Sequence, residues 1–314
     1  MCTCINITGK NSYFGRNLDL DYSFNERLII TPSNYTIKFK FQKSITSHYS
    51  FIGIGTIIDN YPLYAEASNE KGLSIAGLNF KDNAVFYKKD KSKDNYAPYE
   101  MLLLIMATCK NVKEVKQLLN NINLVDEPFK KDVNVSSLHY MISDNKESIV
   151  IETLNDKMHI IDNPFNVLTN NPPFVFHKHN LCNYIQLHND EPINSINKKF
   201  EFKPYSYGLG AFGLPGDFSS SSRFVKAFFV KSNLLITEKE EENIVQFFKC
   251  LDSVSMVLGC VKTFLGYEYS RYQTCFSYKS KTFYYKTYFD NTIKSISLLK
   301  ENIDCNKLIS FNIY

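Results

Sequence analysis

The order in which strand-like and helix-like stretches follow one another is what most restricts the fold of this chain. Arg27 to Thr31, Thr36 to Phe41, Phe51 to Ile58, Leu63 to Ala67 and Leu73 to Phe80 are short runs rich in β-branched and aromatic residues. The last two are split by the turn-like Asn69-Glu70-Lys71-Gly72. The period then changes. Pro98 marks a helix start ahead of the apolar Tyr99 to Cys109, and Asn111 caps a helix over Val112 to Asn121 with Val112, Val115, Leu118 and Leu119 on one side. Strands return at Leu138 to Ile142, Ser148 to Leu154, Met158 to Ile161 and Asn166 to Thr169. Two more helices follow: Arg223 to Leu235, entered through Ser219 to Ser222, and Glu241 to Val254, whose first-turn acids suit the helix dipole. Thr274 to Tyr288 and Ile293 to Leu298 close the chain as strands. This succession predicts α+β, with two β-layers faced by helices.

The chain has 314 residues and shows no internal repeat, low-complexity tract or linker. An apolar share of 44% is enough for a sizeable core, and 25 Phe and 21 Tyr with no Trp point to an aromatic-packed, β-rich interior. The net charge of +4 is too small and too evenly spread to imply a nucleic-acid partner. The run Lys88–Asp94 reads as a solvated loop. The longest apolar run, Met101 to Ala107, is too short to span a bilayer, and the N-terminus lacks the basic and apolar regions of a signal peptide. Eight scattered cysteines then argue for reduced thiols in a cytoplasm. No metal site is expected: the six histidines are dispersed, and His177 and His179, two apart and expected on one strand face, lack a third ligand in sequence.

The first strand begins at a cysteine. Cys4 to Ile7 and Ser12 to Gly15, joined by Thr8-Gly9-Lys10-Asn11, form a hairpin that starts at position 2. Loss of Met1 would give Cys2 both a thiol and a free α-amine. These groups ordinarily ionise near ~8.5 and ~7.7–8.0, so the amine can serve as base for the sulfur. Such chemistry also needs a cation near the sulfur, a group to hold the amine and donors for an oxyanion.

Short polar clusters at strand ends offer these groups. In Gly15-Arg16-Asn17-Leu18-Asp19-Leu20-Asp21, strand parity puts Arg16 and Asp19 on opposite faces, so a bend, which Gly15 would allow, or a bulge is needed to bring them to one site; otherwise they form a local surface ion pair. Asn79 and Asn170 each end an apolar run, where a carboxamide either donates to an oxyanion or closes a turn. Leu214-Pro215-Gly216-Asp217-Phe218, four serines and Arg223 read as a loop entering a capped helix. No spacing rule joins these clusters.

Their order along the chain resembles the choloylglycine hydrolase family of N-terminal-nucleophile amidases, which holds conjugated bile acid hydrolases and penicillin V acylases. The matching strings are Met1-Cys2-Thr3, Phe14 to Asp19, Asn69 to Leu73, Ala76 to Phe80, Val167 to Asn170, Leu214 to Phe218 and Ser222-Arg223-Phe224. The resemblance implies one domain over residues 2–314, folded as a four-layer αββα sandwich, with Met1 removed. It also implies the roles. Cys2 is nucleophile and, through its amine, base. Asp19 holds that amine, and Arg16 lies beside the sulfur. Asn170 donates its side-chain amide to the oxyanion, Asn79 its backbone N–H, and Arg223 completes the charged cluster.

The implied reaction is hydrolysis of a linear amide without metal or organic cofactor, and the implied assembly is a homotetramer. Asn79 matches the bile acid side of the family, where many penicillin V acylases carry Tyr. The expected substrate is therefore an amphipathic N-acyl compound, a glycine- or taurine-conjugated bile acid, with Leu18, Ile58, Ala65, Asn79 and Phe129 against it. Alternatives are a penicillin V acylase or another N-acyl amide hydrolase, and, in a different class, a non-catalytic sterol- or lipid-binding protein. Cys4 departs from the small residue usual in the family; it is either a redox partner of Cys2 or a tolerated substitution.

Overall fold

The structure, a computed structural model, describes residues 1–131 and 135–314. Most of its strands gather in two antiparallel sheets. The first places side by side β12 (Val167–Leu168), β1 (Cys2–Ile7), β2 (Tyr13–Leu20), β14 (Tyr267–Ser277), β15 (Thr282–Thr287) and β16 (Lys294–Ser297), with β13 (Val261–Lys262) paired to β14. The second runs β11 (Met158–Asp162), β10 (Ser148–Thr153), β9 (Leu138–Ser143), β6 (Ser74–Asn79), β5 (Tyr61–Asn69), β4 (Phe51–Ile58), β3 (Arg27–Thr31) and β17 (Ile309–Asn312). A separate parallel pair joins β7 (Asp94–Tyr96) to β8 (Ile122–Leu124). The helices are α1 (Met101–Thr108), α2 (Val112–Leu119), α3 (Phe174–Asn180), α4 (Ser220–Ser232) and α5 (Glu240–Asp252).

Strand parity accounts for the layering. Successive strand residues point to opposite faces. Ile52, Ile54, Ala76, Leu78, Met141 and Val150 of the second sheet share a core with Cys4, Phe14 and Phe276 of the first. Their chain neighbours Phe51, Ile75, Tyr140, Ile142, Ile149 and Ile151 share another with α1 and α2. Both faces of the second sheet are thus apolar, and each needs a cover. Residues Met101 to Ala107 of α1 are all buried, which suits a helix apolar on every side. On the other flank, Phe224 and Ala227 of α4 and Phe247 and Leu251 of α5 pack on the first sheet. The result is the expected αββα sandwich.

Both helix caps read from the sequence are in place. The Asn111 side chain accepts the Glu114 N–H at 2.9 Å, and Ser219 accepts that of Ser222 at 3.4 Å. Two expectations need correction, and one strand was missed. Thr36–Phe41 is no strand: Ile37 and Phe39 are buried and Lys38 and Lys40 exposed, as its alternation predicts, but only the Ile37–Ile45 bridge pairs it. Alternation reports which side is buried, and a strand also needs a neighbour. His177 lies on helix α3 and not on a strand, entered through Pro173. Strand β17 was not foreseen, although Ile309, Phe311 and Ile313 alternate; it pairs with β3 at the sheet edge.

The inter-sheet core predicts a stability effect. Ile54→Ala removes a fully buried side chain between the sheets and should cost about 2–5 kcal/mol. Urea denaturation measures it, and a loss below about 0.5 kcal/mol would show that this space is not tightly packed.

Candidate active site

The β1–β2 hairpin sets Cys2 opposite Leu18 and Cys4 opposite Arg16. Cys2, Cys4 and Asn6 share the face toward the second sheet, since the Asn6 amide reaches the Asp144 carbonyl and Ser148 there. The Cys2 thiol is therefore enclosed between the sheets, 4% exposed.

Arg16 comes from the same face and is fully buried. One Nη donates to Cys2 Sγ; the other donates to the carbonyls of Gly77 at 2.7 Å and Ala65 at 3.3 Å, and to Glu66 Oε2 at 3.4 Å. The Ala65 carbonyl is free for this because of a bulge. Ile54 pairs with Glu66 and Gly55 with Tyr64, which leaves Ala65 as the extra residue. Burial works against the Arg16 charge, but the Cys2 sulfur and Glu66 outweigh it and hold its pKa above the ordinary value. Burial also pushes the Glu66 carboxyl up to about 7, against the opposing pull of Arg16.

Asp19 lies on the opposite face of β2 and is fully buried. Its Oδ1 accepts from the Ser270 hydroxyl at 2.5 Å, and its Oδ2 faces Arg223 at 3.9 Å. A second bulge sits here: Ser270 pairs with Asp19 and Tyr272 with Leu18, so Arg271 is the extra residue. Neither a bend at Gly15 nor a surface ion pair describes Arg16 and Asp19. Both are buried, each has its own partner, and they approach Cys2 from opposite faces of the sheet, one at the sulfur and one near the backbone. Gly15 has a different task. A Cβ there would sit 1.9 Å from the Thr274 carbonyl, so glycine lets β14 come close.

Arg223, in the first turns of α4, donates to the Cys2 carbonyl, to Thr3 Oγ1 at 2.6 Å and to Asn170 Oδ1 at 2.9 Å. Asn170, just past β12, is held at every polar atom. Its N–H donates to Ser220 Oγ at 2.8 Å, its Oδ1 accepts the Cys2 N–H at 2.7 Å, and its Nδ2 donates to the Asn79 carbonyl at 2.8 Å. His177 donates through Nε2 to the Asn170 carbonyl at 2.9 Å and stacks on Phe224. Burial drives the His177 pKa down to about 4, which keeps the ring neutral.

With Met1 present, its amine is the free one. It donates to the Asp19 carbonyl at 2.7 Å and pairs with Glu268, and burial lowers its pKa. Asn79 presents its carbonyl to the site, while its exposed side chain accepts the Lys81 N–H at 3.1 Å. Of the residues expected against substrate, Leu18 and Ala65 adjoin the thiol and Arg16. Ile58 and Phe129 lie toward the tip of the β4–β5 hairpin, where Ile58 pairs with Tyr61 and the Phe129 ring packs on Tyr61 and Tyr99 at 5.3 and 5.2 Å. Cys4, across the hairpin from Arg16, is buried as a free thiol, its pKa raised well above the ordinary value by burial.

The sequence reading missed Glu66, Tyr272, Ser270, Thr3 and His177. One signal was available: Glu66 is a lone acid within Leu63–Ala67, a run otherwise fit for a core strand. Among the described residues, no three His, Cys, Asp or Glu side chains gather as metal ligands. No helix of the described residues is long and apolar enough to cross a membrane.

An enclosed thiol with a buried guanidinium on its sulfur and a pinned carboxamide at its backbone nitrogen is an arrangement suited to acyl transfer from an amide. The chain belongs to the choloylglycine hydrolase family, linear amide C–N hydrolases, whose profile matches residues 2–311. It is 43% identical over 312 residues to the bile salt hydrolase/transferase of Lactiplantibacillus plantarum, covering 99% of this chain and 96% of that protein. Similarity to the bile salt hydrolase/transferase of Clostridium perfringens is 37% identity over 318 residues, with 99% and 96% covered. The crystal structure of the C2A mutant of conjugated bile acid hydrolase from Clostridium perfringens superposes with a TM-score of 0.91 at 36% identity, covering 99% and 96% of the two chains. A penicillin V acylase from Agrobacterium tumefaciens shares the fold, with a TM-score of 0.79 at 18% identity and 99% and 91% coverage. The fold is thus that of the N-terminal-nucleophile hydrolases, as the resemblance implied.

The neutral His177 gives a pH prediction. Its folded pKa, about 4, lies below the unfolded value of 6.5, so the unfolded chain binds the extra proton between them. Stability is then complete above pH ~6.5 and declines as pH falls toward 4, by on the order of 3 kcal/mol from this residue. His177→Gln, which keeps a donor for the Asn170 carbonyl, should flatten that decline in pH-dependent urea melts; an unchanged slope would remove His177 as its source.

Proposed function

We propose that this chain is a cysteine amidohydrolase cleaving the amide bond of glycine- or taurine-conjugated bile acids to free bile acid and amino acid through a Cys2 thioester. The observation that carries the reading is the Cys2 sulfur set on Arg16, with Asn170 and Arg223 at its backbone, in a chain alike over its full length to named bile salt hydrolases.

Loss of Met1 would free the Cys2 amine beside Asn170 Oδ1 and near Asp19, whose Oδ2 has no hydrogen-bond partner among the described residues. That amine takes the thiol proton, and the thiolate, favoured by Arg16, attacks the amide carbon. The carbonyl electrons move to oxygen, which meets the second Nδ2 hydrogen of Asn170 and the Asn79 backbone N–H. Collapse expels the amine product, which takes its proton from the Cys2 ammonium. Water then attacks the thioester and releases the acid and the thiol. An amine in place of that water would give acyl transfer, and both relatives above carry transferase in their names.

Leu18, Ala65, Ile58 and Phe129 suit the apolar body of such a substrate, and Asn79 lies at its amide end. From Ala65 to Tyr61 is four strand steps, roughly 13 Å of half-buried wall leading away from the thiol. The mature protein on this reading is one domain over residues 2–314, cytoplasmic and homotetrameric. The exposed Ile193, Ile196, Phe200, Phe202, Tyr205 and Tyr207 of one long loop support assembly with other copies.

Intact mass should show the loss of Met1. In the same preparation, kcat/KM for glycocholate and taurocholate should exceed that for penicillin V; the reverse ranking favours an acylase, and no turnover of any acylated amine by folded, Met-free protein leaves only a sterol binder. Cys2→Ser should abolish nearly all turnover. Asn170→Ala should lower kcat by ~10²–10³, the usual loss of one oxyanion donor, whereas a change confined to KM would take it out of that role.

A further inference from the structure

Arg16 is a single buried cation between two acids. Its guanidinium is spent entirely on protein: Nε on the Asn17 carbonyl at 3.3 Å, one Nη on two carbonyls and Glu66, the other on Cys2 Sγ. Glu66 is 2% exposed, and its Oε2 also accepts the Tyr272 hydroxyl at 3.1 Å, while its Oε1 is buried with no hydrogen-bond partner among the described residues. The groups that face Glu66 come from three strands of the opposite sheet: Cys4 from β1, Arg16 from β2 and Tyr272 from β14; Cys2 of β1 is reached through Arg16. Its cross-strand neighbours in its own sheet, Ile54 and Ala76, carry no charge.

We infer that Glu66 is a positioning residue for the nucleophile: through Arg16 it fixes the cation on the Cys2 sulfur and competes with that sulfur for the charge. The inference rests on Cys2 being the nucleophile. The bulge at Ala65 supports it, because the same irregularity that frees the Ala65 carbonyl for Arg16 aims Glu66 across the gap between the sheets. A carboxylate with one bare oxygen is poorly stabilised in such a place. When Cys2 ionises and draws on Arg16, Glu66 is left without compensation and takes up a proton. When Glu66 is charged, the thiol holds its proton more tightly. Glu66 and the Cys2 sulfur thus draw on the same cation, and burial, which pushes the Glu66 carboxyl up to about 7, brings its change of charge to around neutral pH. A residue that merely filled space would leave the thiol's pH dependence unmoved.

The test is the rate of Cys2 alkylation by iodoacetamide against pH in Met-free protein, read peptide by peptide by mass spectrometry. The exposed Cys182 and Cys260 serve as internal controls. Glu66→Gln keeps the size and an oxygen for Arg16 and Tyr272 but removes the competing charge. The Cys2 profile should move to lower pH by about one unit, with alkylation at pH 8, where the Glu66 carboxylate is formed, at least threefold faster and both controls unchanged. The low-pH limb of kcat/KM should move with it. Tyr272→Phe removes a hydrogen bond that favours the Glu66 carboxylate, so it should shift the profile the same way by less, and it serves should Glu66→Gln fail to fold. Unmoved Cys2 profiles in the variants that fold overturn the role of Glu66 alone. Turnover retained by Cys2→Ser overturns the nucleophile, and this inference with it.

Discussion

Two guanidinium groups buried within a protein of this size are the constraint on which the rest of the site depends. Arg16 and Arg223 are both essentially inaccessible to water. Even after relaxation, moving one such ion out of solvent costs several kcal/mol, and only good geometry offsets that. The offset here is mostly backbone. Arg16 takes the carbonyls of Asn17, Ala65 and Gly77, and Arg223 those of Cys2 and Phe218. A regular sheet has few carbonyls to spare, so the bulge at Ala65 and the strand end at Cys2 are conditions for having the charges there at all. The cations in turn fix what they touch. Arg223 ties α4 to β1 and to Asn170, and Arg16 ties β2 across the gap to β5 and β6.

This explains how much of the molecule could be read from sequence. Layers were legible because burial imposes a period on neighbouring residues: Ile149, Val150 and Ile151 alternate between two cores, and the order of such runs already implies two sheets with helices outside. The hairpin that starts at Cys2 was legible for the same reason. Thr36–Phe41 shows where periodicity stops being informative. Its alternation told correctly which residues are buried, but hydrogen-bonding a strand needs a neighbour, and a segment's own residues do not say whether one arrives. Helix α3 was hidden behind Pro172 and Pro173, which start it as readily as they would interrupt a strand.

The site was legible in part. Short polar clusters could be noticed, but their convergence was not encoded in any local spacing. Asn170 is 168 residues from Cys2 in the chain, and Arg223 is 221. The family resemblance supplied what spacing lacked. Local parity even pointed away from the answer, since it put Arg16 and Asp19 on opposite faces and suggested a bend or bulge to reunite them. The structure keeps them on opposite faces. A strand's first residue has a side chain in one layer and backbone groups that helices and loops of another can reach, so opposite faces are what the arrangement needs.

Position at the start of β1 therefore matters geometrically. In mid-strand, the backbone nitrogen of a residue is enclosed by its two neighbours in the sheet. At Cys2 only one side is fully paired, because β12 is two residues long and pairs with Cys4 and Ile5. The chain just past β12 turns away, and Asn170 comes to rest on the Cys2 nitrogen where a longer strand would have paired with it. Shortness of β12 is thus a condition for the site. Were Thr169 and Asn170 to continue the ladder, the Cys2 backbone would be closed off, and Asn170 would lose the hold of Ser220, His177 and Arg223 that fixes its amide. The edge of the first sheet ends early, and the groups gathered around Cys2 occupy the space it leaves.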